Sequence, residues 1–216
     1  MAYDLEEQEQ LATLKAWWAQ YGNLVTWVLI VALAAYAGWN GWQYYQRNQA
    51  AQAAQLYDEL QKARAAGDQE RVQRAATDIL ERFGGTAYAR MAALAAADAA
   101  FEANDLKAAK SRLQWIVDNG DNEADQAVAR LRLAGILLDE KAYDQALKVL
   151  EANTSEQFAG LVADRRGDIL AAQNRIEDAR AAYQLALERI GPANPGRELI
   201  RLKLDAIGGA PEKAAA

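Results

Sequence analysis

Apolar positions recur at helical spacing along most of this chain, and one stretch departs from that pattern by being apolar all round. Residues 16–46 carry no charge, and within them the run LVTWVLIVALAAYAGWNGW, from Leu24 to Trp42, has only Thr26 and Asn40 as clearly polar positions. At a rise of about 1.5 Å per residue such a helix is roughly 28 Å long, close to the hydrocarbon thickness of a bilayer. Trp17, Trp18 and Tyr21 precede the run, and Trp39, Trp42, Tyr44 and Tyr45 close it. Aromatic rings with an apolar body and a polar edge favour the headgroup level, so two belts one bilayer apart point to a spanning helix. The expected membrane-anchor residues are Leu24, Trp27, Leu29, Ile30, Leu33, Tyr36, Trp39 and Trp42.

Three readings of this segment compete. A buried core helix is disfavoured because so long an uncharged run leaves no solvent face. A cleaved signal peptide finds a small-x-small site at Ala35-Tyr36-Ala37, but its leading region holds Asp4, Glu6, Glu7 and Glu9 against Lys15 alone, where a secretory leader is positive. A retained single span fits length, aromatic bracket and acidic lead together. Charge leaves its orientation open, since Lys15 on one side nearly balances Arg47 and Lys62 on the other. Ala34-x-x-x-Gly38 is a small-xxx-small pair, which an Ala-rich helix also produces by chance. Residues 1–20 read as a short tail, amphipathic through Leu5, Leu11, Leu14 and Trp18.

From residue 47 onward the pattern is that of successive amphipathic helices. Turn residues punctuate it at Ala66-Gly67-Asp68, Phe83-Gly84-Gly85-Thr86, Ala103-Asn104-Asp105, Asp118-Asn119-Gly120-Asp121, Glu140-Lys141-Ala142, Asn153-Thr154-Ser155, Gln173-Asn174 and residues 191–195. No stretch shows sustained strand alternation. Aligning the second helix of each pair on its first inward small residue gives Ala75, Ala109, Ala146 and Ala179. These lie 34, 37 and 33 residues apart, a period characteristic of tetratricopeptide repeats. The clearest unit holds Gly167 and Leu170 on one helix and Ala179, Tyr183 and Ala186 on the next. The unit before it offers Leu133, Ala134, Leu137, Tyr143, Ala146 and Leu150; the one before that, Leu106, Ala109 and Leu113; the first, around Val72, Ala75 and Ile79, is faintest. A generic Ala-rich bundle is the alternative. The predicted architecture is all-α: tail 1–20, transmembrane anchor 21–46, tetratricopeptide-like solenoid 47–207 and disordered tail 208–216. Stacked pairs of this kind share a core and present a surface suited to helices or extended peptides.

Composition narrows the chemistry. Alanine supplies 50 of 216 residues and proline 3, which suits helices. Cys and His are both absent, removing disulfides, zinc sites, thiol nucleophiles and histidine triads. A net charge of -6 argues against a nucleic-acid partner. The run Asp118 to Glu123 lacks EF-hand order and reads as a solvated turn. Asp139-Glu140 reads as a helix end, and Gly84-Gly85 has no following Lys-Ser/Thr and so is no phosphate loop. Asn153-Thr154-Ser155 is formally a glycosylation acceptor. Arg165-Arg166 is too small a basic cluster for nucleic acid, and Arg64, Arg71 and Arg74 read as solvated helix faces. No catalytic, cofactor-binding or metal-binding residue is expected, and the chain does not read as an enzyme.

The order of acidic tail, aromatic-flanked span and degenerate repeats resembles the YfgM-type family, the ancillary subunit of the bacterial SecYEG translocon. The residues that carry the resemblance are Leu11-Ala-Thr-Leu-Lys-Ala-Trp-Trp-Ala-Gln-Tyr-Gly22, Gly41-Trp-Gln-Tyr-Tyr45 and, most specifically, Leu161-Val-Ala-Asp-Arg-Arg-Gly-Asp168. The resemblance implies a single-pass inner-membrane protein of a Gram-negative bacterium, its N-terminus cytoplasmic and its repeat domain periplasmic. It also implies three kinds of partner: the translocon, a membrane-anchored periplasmic chaperone of the prolyl-isomerase type, and newly exported proteins. A membrane-anchored scaffold that sequesters a signalling protein is the alternative function.

Overall fold

The structure is a computed structural model that describes residues 2–152 and 155–209, with side chains from residue 9 onward. The side chain of Leu5 in the expected amphipathic tail is outside that description, and the Asn153-Thr154 part of an expected turn and residues 210–216 of the expected disordered tail lie outside the described residues. Among them there is no strand. The α-helices are α1 (Ala2–Ala65), α2 (Gln69–Phe83), α3 (Ala87–Glu102), α4 (Leu106–Asn119), α5 (Glu123–Asp139), α6 (Tyr143–Glu151), α7 (Ala159–Ala172), α8 (Ile176–Arg189) and α9 (Gly196–Ala206), with one 3-10 turn at Glu156–Phe158. The chain divides into two compact units, 1–51 and 52–216. The divisions expected at 20 and 46 both fall inside the unbroken α1.

In the first unit every expected anchor residue is exposed on the helix surface. The helix's most apolar window has mean hydropathy 1.5 and is only 6 % buried, so α1 is long and apolar enough to cross a membrane and that window is not part of a core. Its two polar side chains each donate back to the helix: Thr26 to Gly22 O at 2.8 Å and Asn40 to Tyr36 O at 2.9 Å. In hydrocarbon an unmade hydrogen bond costs several kcal/mol, roughly, so this self-satisfaction suits a lipid-facing helix.

The second unit is a stack of helix pairs joined by one turn geometry used over and over. Gly67, Asn104, Lys141, Asn174 and Gly208 all have left-handed backbones, with φ of 69, 59, 62, 60 and 77°. In each case the N–H of that residue reaches back three residues and the N–H of the next reaches back five, as in Asp105 N to Ala100 O at 2.8 Å and Arg175 N to Leu170 O at 2.9 Å. This Schellman closure satisfies the last carbonyls of the first helix and redirects the chain into the second. Gly and Asn enter the left-handed region easily, whereas Lys141 does so at a cost of about 1–2 kcal/mol.

Those turns set the repeat register. The first helices are residues 52–65 of α1, then α3, α5, α7 and α9; the second helices are α2, α4, α6 and α8. Cap residues Asp68, Asp105, Ala142 and Arg175 precede the second helices, and their carbonyls accept from Val72, Ala109, Ala146 and Ala179. Alignment of the first unit on Ala75 is thereby corrected: Val72 holds the equivalent place, and Ala75 is only half-buried while Val72 and Ala76 are buried. The adjacent alanines at 75 and 76 disguised a unit that starts on a β-branched residue. Counting from the caps, the fourth position is Val72, Ala109, Ala146 and Ala179, and the eighth is Ala76, Leu113, Leu150 and Tyr183, all buried.

Eight residues before each cap, the first helix presents Leu60, Ala97, Ala134 and Gly167. Set beside the eighth positions after the caps, they give Leu60 and Ala76, Ala97 and Leu113, Ala134 and Leu150, and Gly167 and Tyr183 at equivalent register positions, one large and one small each time. In the last of these the two side-chain positions touch: a Cβ on Gly167 would lie 2.5 Å from Tyr183 Cε1. The buried side chains form two clusters, one from residue 53 through α6 with Ile169, the other within α7, α8 and α9, and Leu147 packs against both.

Polar ties reinforce the stack. Arg112 donates to Gln73 Oε1 at 3.0 Å and to Thr77 at 2.7 Å, while Gln73 donates to Ala96 O at 2.8 Å, joining α2, α3 and α4. Arg90 binds Asp121 at 2.7 Å and Asp125 at 2.8 Å. Lys203 of α9 sits 2.9 Å from Asp164 and 2.8 Å from Asp168 of α7, and the Tyr183 hydroxyl donates to Asp168 at 2.9 Å. Burial, with the Asp168 carboxylate adding to it, pushes the Tyr183 phenol above the usual tyrosine range.

Two outcomes are expected. Gly167→Ala forces the Tyr183 ring aside at a cost of about 1–3 kcal/mol, lowering the thermal midpoint followed by circular dichroism in detergent. Combining it with Tyr183→Leu recreates the Ala/Leu pair of two other repeats and restores most of the loss; a double variant as weak as the sum of the singles would contradict the pairing. Because the folded-state phenol ionises above its unfolded value, its contribution is intact below about pH 10 and is lost as pH rises beyond it. The stability advantage of wild type over Tyr183→Phe should therefore hold up to about pH 10 and shrink above it.

Candidate interaction surface

The expected repeat-packing residues make the core rather than a surface. Ala109, Leu133, Leu137, Ala146, Gly167, Leu170, Ala179, Tyr183 and Ala186 are buried, and Tyr143, directly after the Ala142 cap, is half-buried. What the stack offers to a partner must come from positions those residues leave free. The exposed large apolar side chains of the repeat unit are Met91, Phe101, Leu161, Leu185, Leu199 and Leu202. All but Leu185 stand on first helices. Exposed apolar groups gathered on one layer, rather than scattered, mark an interaction surface.

The repeat register shows how this face is built. Seven and ten residues before the caps, the first helices place Asp98 on α3, Arg132 and Gly135 on α5, and Arg165 and Asp168 on α7, while Ala95, ten before the Asp105 cap, is buried. Leu199 and Leu202 hold the same places on α9, ahead of Gly209. Arg132 donates to Asp98 of the preceding repeat. One repeat later Arg165 reaches the corresponding place and finds Gly135. Its guanidinium carbon lies 3.7 Å from where a Gly135 Cβ would stand, and its carboxylate contact is a long 3.5 Å to Asp168, which Lys203 and Tyr183 already engage.

Beside Arg165 opens a cleft of about 270 Å³ with Ala97, Phe101, Leu113 and Ile136 as its apolar lining and Asp98, Arg132, Asp139 and Arg165 as its charged residues. The Phe101 ring is 49 % exposed there. Burial acts on Asp164, behind this face, raising its carboxyl above the ordinary range despite the Lys203 hydrogen bond that opposes it. A second cleft, between the end of α1 and α2, is rimmed by Asp68, Arg71 and Arg74, whose charges are met locally by the Arg71–Asp68 and Arg74–Glu70 pairs. Among the described residues no group of three or more acidic side chains is placed to hold a metal ion. Asp121 and Glu140, read from sequence as turn and helix-end residues, are engaged by Arg90 and by Lys110 at 2.6 Å.

Sequence reading passed over Phe101 and placed Arg165 in a small basic pair and in the Leu161 to Asp168 block, with no contact assigned to it. The signal that could have found them is the register itself: once the caps at 105, 142 and 175 are known, Arg132 and Arg165 fall on equivalent positions, and so do Asp98 and Gly135.

Comparison with known proteins matches residues 15–209 to a family described as a tetratricopeptide repeat-like domain, a range that takes in the apolar segment as well as the repeats. The chain is similar to the protein named ancillary SecYEG translocon subunit of Neisseria gonorrhoeae, with 32 % identity over 208 residues, 96 % of this chain and 100 % of the relative. It is similar to the protein of that name in Haemophilus influenzae, with 29 % identity over 187 residues, 83 % of this chain and 91 % of the relative. The Escherichia coli protein of the same name shares 31 % identity over 119 residues, 55 % of this chain and 57 % of the relative. With the apolar N-terminal helix, the five equivalent turns and a full-length relative all in agreement, the chain belongs to the family of ancillary SecYEG translocon subunits.

Proposed function

We propose that this protein is a single-pass inner-membrane adaptor that works beside the SecYEG translocon. In this reading α1 is a retained anchor, the N-terminus is cytoplasmic and the repeat unit is periplasmic. The first-helix face receives newly exported polypeptides, a membrane-anchored chaperone of the prolyl-isomerase type, or both. One observation carries the reading: the exposed large apolar side chains of the repeat unit gather on the first helices, at Met91, Phe101, Leu161, Leu199 and Leu202, with Leu185 alone elsewhere. Retention of the span is supported by the self-satisfied Thr26 and Asn40 and by the acidic residues ahead of it. The periplasmic placement rests on the family, since the flanking charges are balanced. Translocon association likewise comes from the relatives, which are named for it.

The physics asks little of each contact. A docking face tethered to the membrane where chains emerge works at an effective concentration of about the mM range, so weak apolar contacts suffice without catalysis. The test is site-specific photo-crosslinking in native membranes from Phe101, Leu161 and Leu202, with Leu185 as the control position, combined with protease access from each side. The first-helix positions are expected to crosslink translocon subunits, a chaperone or exported chains several-fold more than Leu185, with the repeat unit cleaved only from the periplasmic side. Equal yields at Leu185 would overturn the assignment of the face. A single folded partner captured on the cytoplasmic side would favour the sequestering scaffold instead.

A further inference from the structure

We propose that Arg165 and the cleft beside it bind an acidic side chain, Asp or Glu, carried between apolar residues in an extended segment of a partner polypeptide. The inference rests on the reading of the first-helix face as a docking surface and adds the chemistry that the face selects. The interaction that ties α5 to α3, Arg132 to Asp98, is half-made between α7 and α5. Arg165 is in the equivalent position, but Gly135 supplies no carboxylate, and the guanidinium carbon lies 3.7 Å from where a Gly135 Cβ would stand. Arg165 is 38 % exposed, its contact with Asp168 is a long 3.5 Å, and it is one of the residues that line the cleft. A carboxylate from outside, placed where the missing one would stand, completes the fork, and such bidentate pairs are the strong ones among charged hydrogen bonds.

The surroundings decide what carries that carboxylate. Phe101 and Ile136 line the cleft on one side of Arg165, while Leu161, Leu199 and Leu202 are exposed on the other. Apolar surface on both sides suits a segment that passes across the guanidinium rather than one that ends there. Asp139, one helical turn beyond Gly135, belongs to the same cleft and repels a second acid, so a single acid among apolar residues is favoured over an acidic run. The net charge of -6 acts against acidic ligands only weakly at this range, because charges further than about 8 Å are screened at physiological ionic strength.

The experiment uses the full-length chain in detergent and three fluorescein-labelled peptides, identical except for Glu, Gln or Lys at the centre of a Leu-flanked core, with binding read by fluorescence anisotropy. The Glu peptide is expected to bind about tenfold more tightly than the Gln peptide, and the Lys peptide least. Gly135→Asp supplies the missing carboxylate from within: it should weaken the Glu peptide about tenfold, leave the Gln peptide unchanged and keep or raise the thermal midpoint. Arg165→Gln should abolish the preference for Glu. If Glu and Gln peptides bind alike, or if Gly135→Asp leaves the Glu peptide untouched, the proposal is overturned. If in that case Phe101→Ala weakens both peptides, the docking face stands and only the carboxylate assignment falls. If wild type binds none of the three, both fall.

Discussion

Close approach of two helices eight residues either side of a cap is the constraint on which the repeat unit depends. An α-helix can come near its neighbour only where the side chains between them sum to a fitting volume, and each repeat solves that with a different division. Leu60 with Ala76, Ala97 with Leu113, Ala134 with Leu150 and Gly167 with Tyr183 shift bulk from one helix to the other while conserving the whole. The left-handed turns give each pair the same lead-in, so the matched residues arrive in register. Once that distance is set, the fourth position after each cap must be compact, and the outward positions of the first helices line up from repeat to repeat.

The helices and their breaks were legible because Gly, Asn and Asp mark left-handed turns by their own conformational preferences, at Gly67, Asn104 and Asn174. Lys141 gave no such warning; it was located through the spacing of its neighbours. The first repeat was misaligned by three residues because local composition cannot distinguish a buried alanine from a half-buried one at 75 and 76. The apolar span was legible from length and aromatic bracket alone. That its helix runs unbroken to Ala65, so that its last turns serve as the first helix of the first repeat, was not, since no residue between 46 and 52 signals a stop or a join.

The interaction face was illegible for a different reason. Phe101, Gly135 and Arg165 are far apart in sequence, and each has an ordinary role when read singly: an apolar helix residue, a helical glycine, a surface arginine. Their meaning is relational. Gly135 matters because Asp98 is its counterpart, and Arg165 matters because it meets no carboxylate at the place where Arg132 meets Asp98. Repeat proteins make such comparisons possible, since every position has equivalents by which an exception is recognised.

The division of the buried side chains into two clusters that share Leu147 has a consequence for cooperativity. In a linear array, each pair of helices is held only by its neighbours, and unfolding proceeds where the coupling between neighbours is smallest. The short α6 and the 3-10 turn after it fall at that boundary. The terminal assembly of α8 and α9, with the part of α7 that faces them, is thus expected to exchange its amide hydrogens ahead of the earlier repeats.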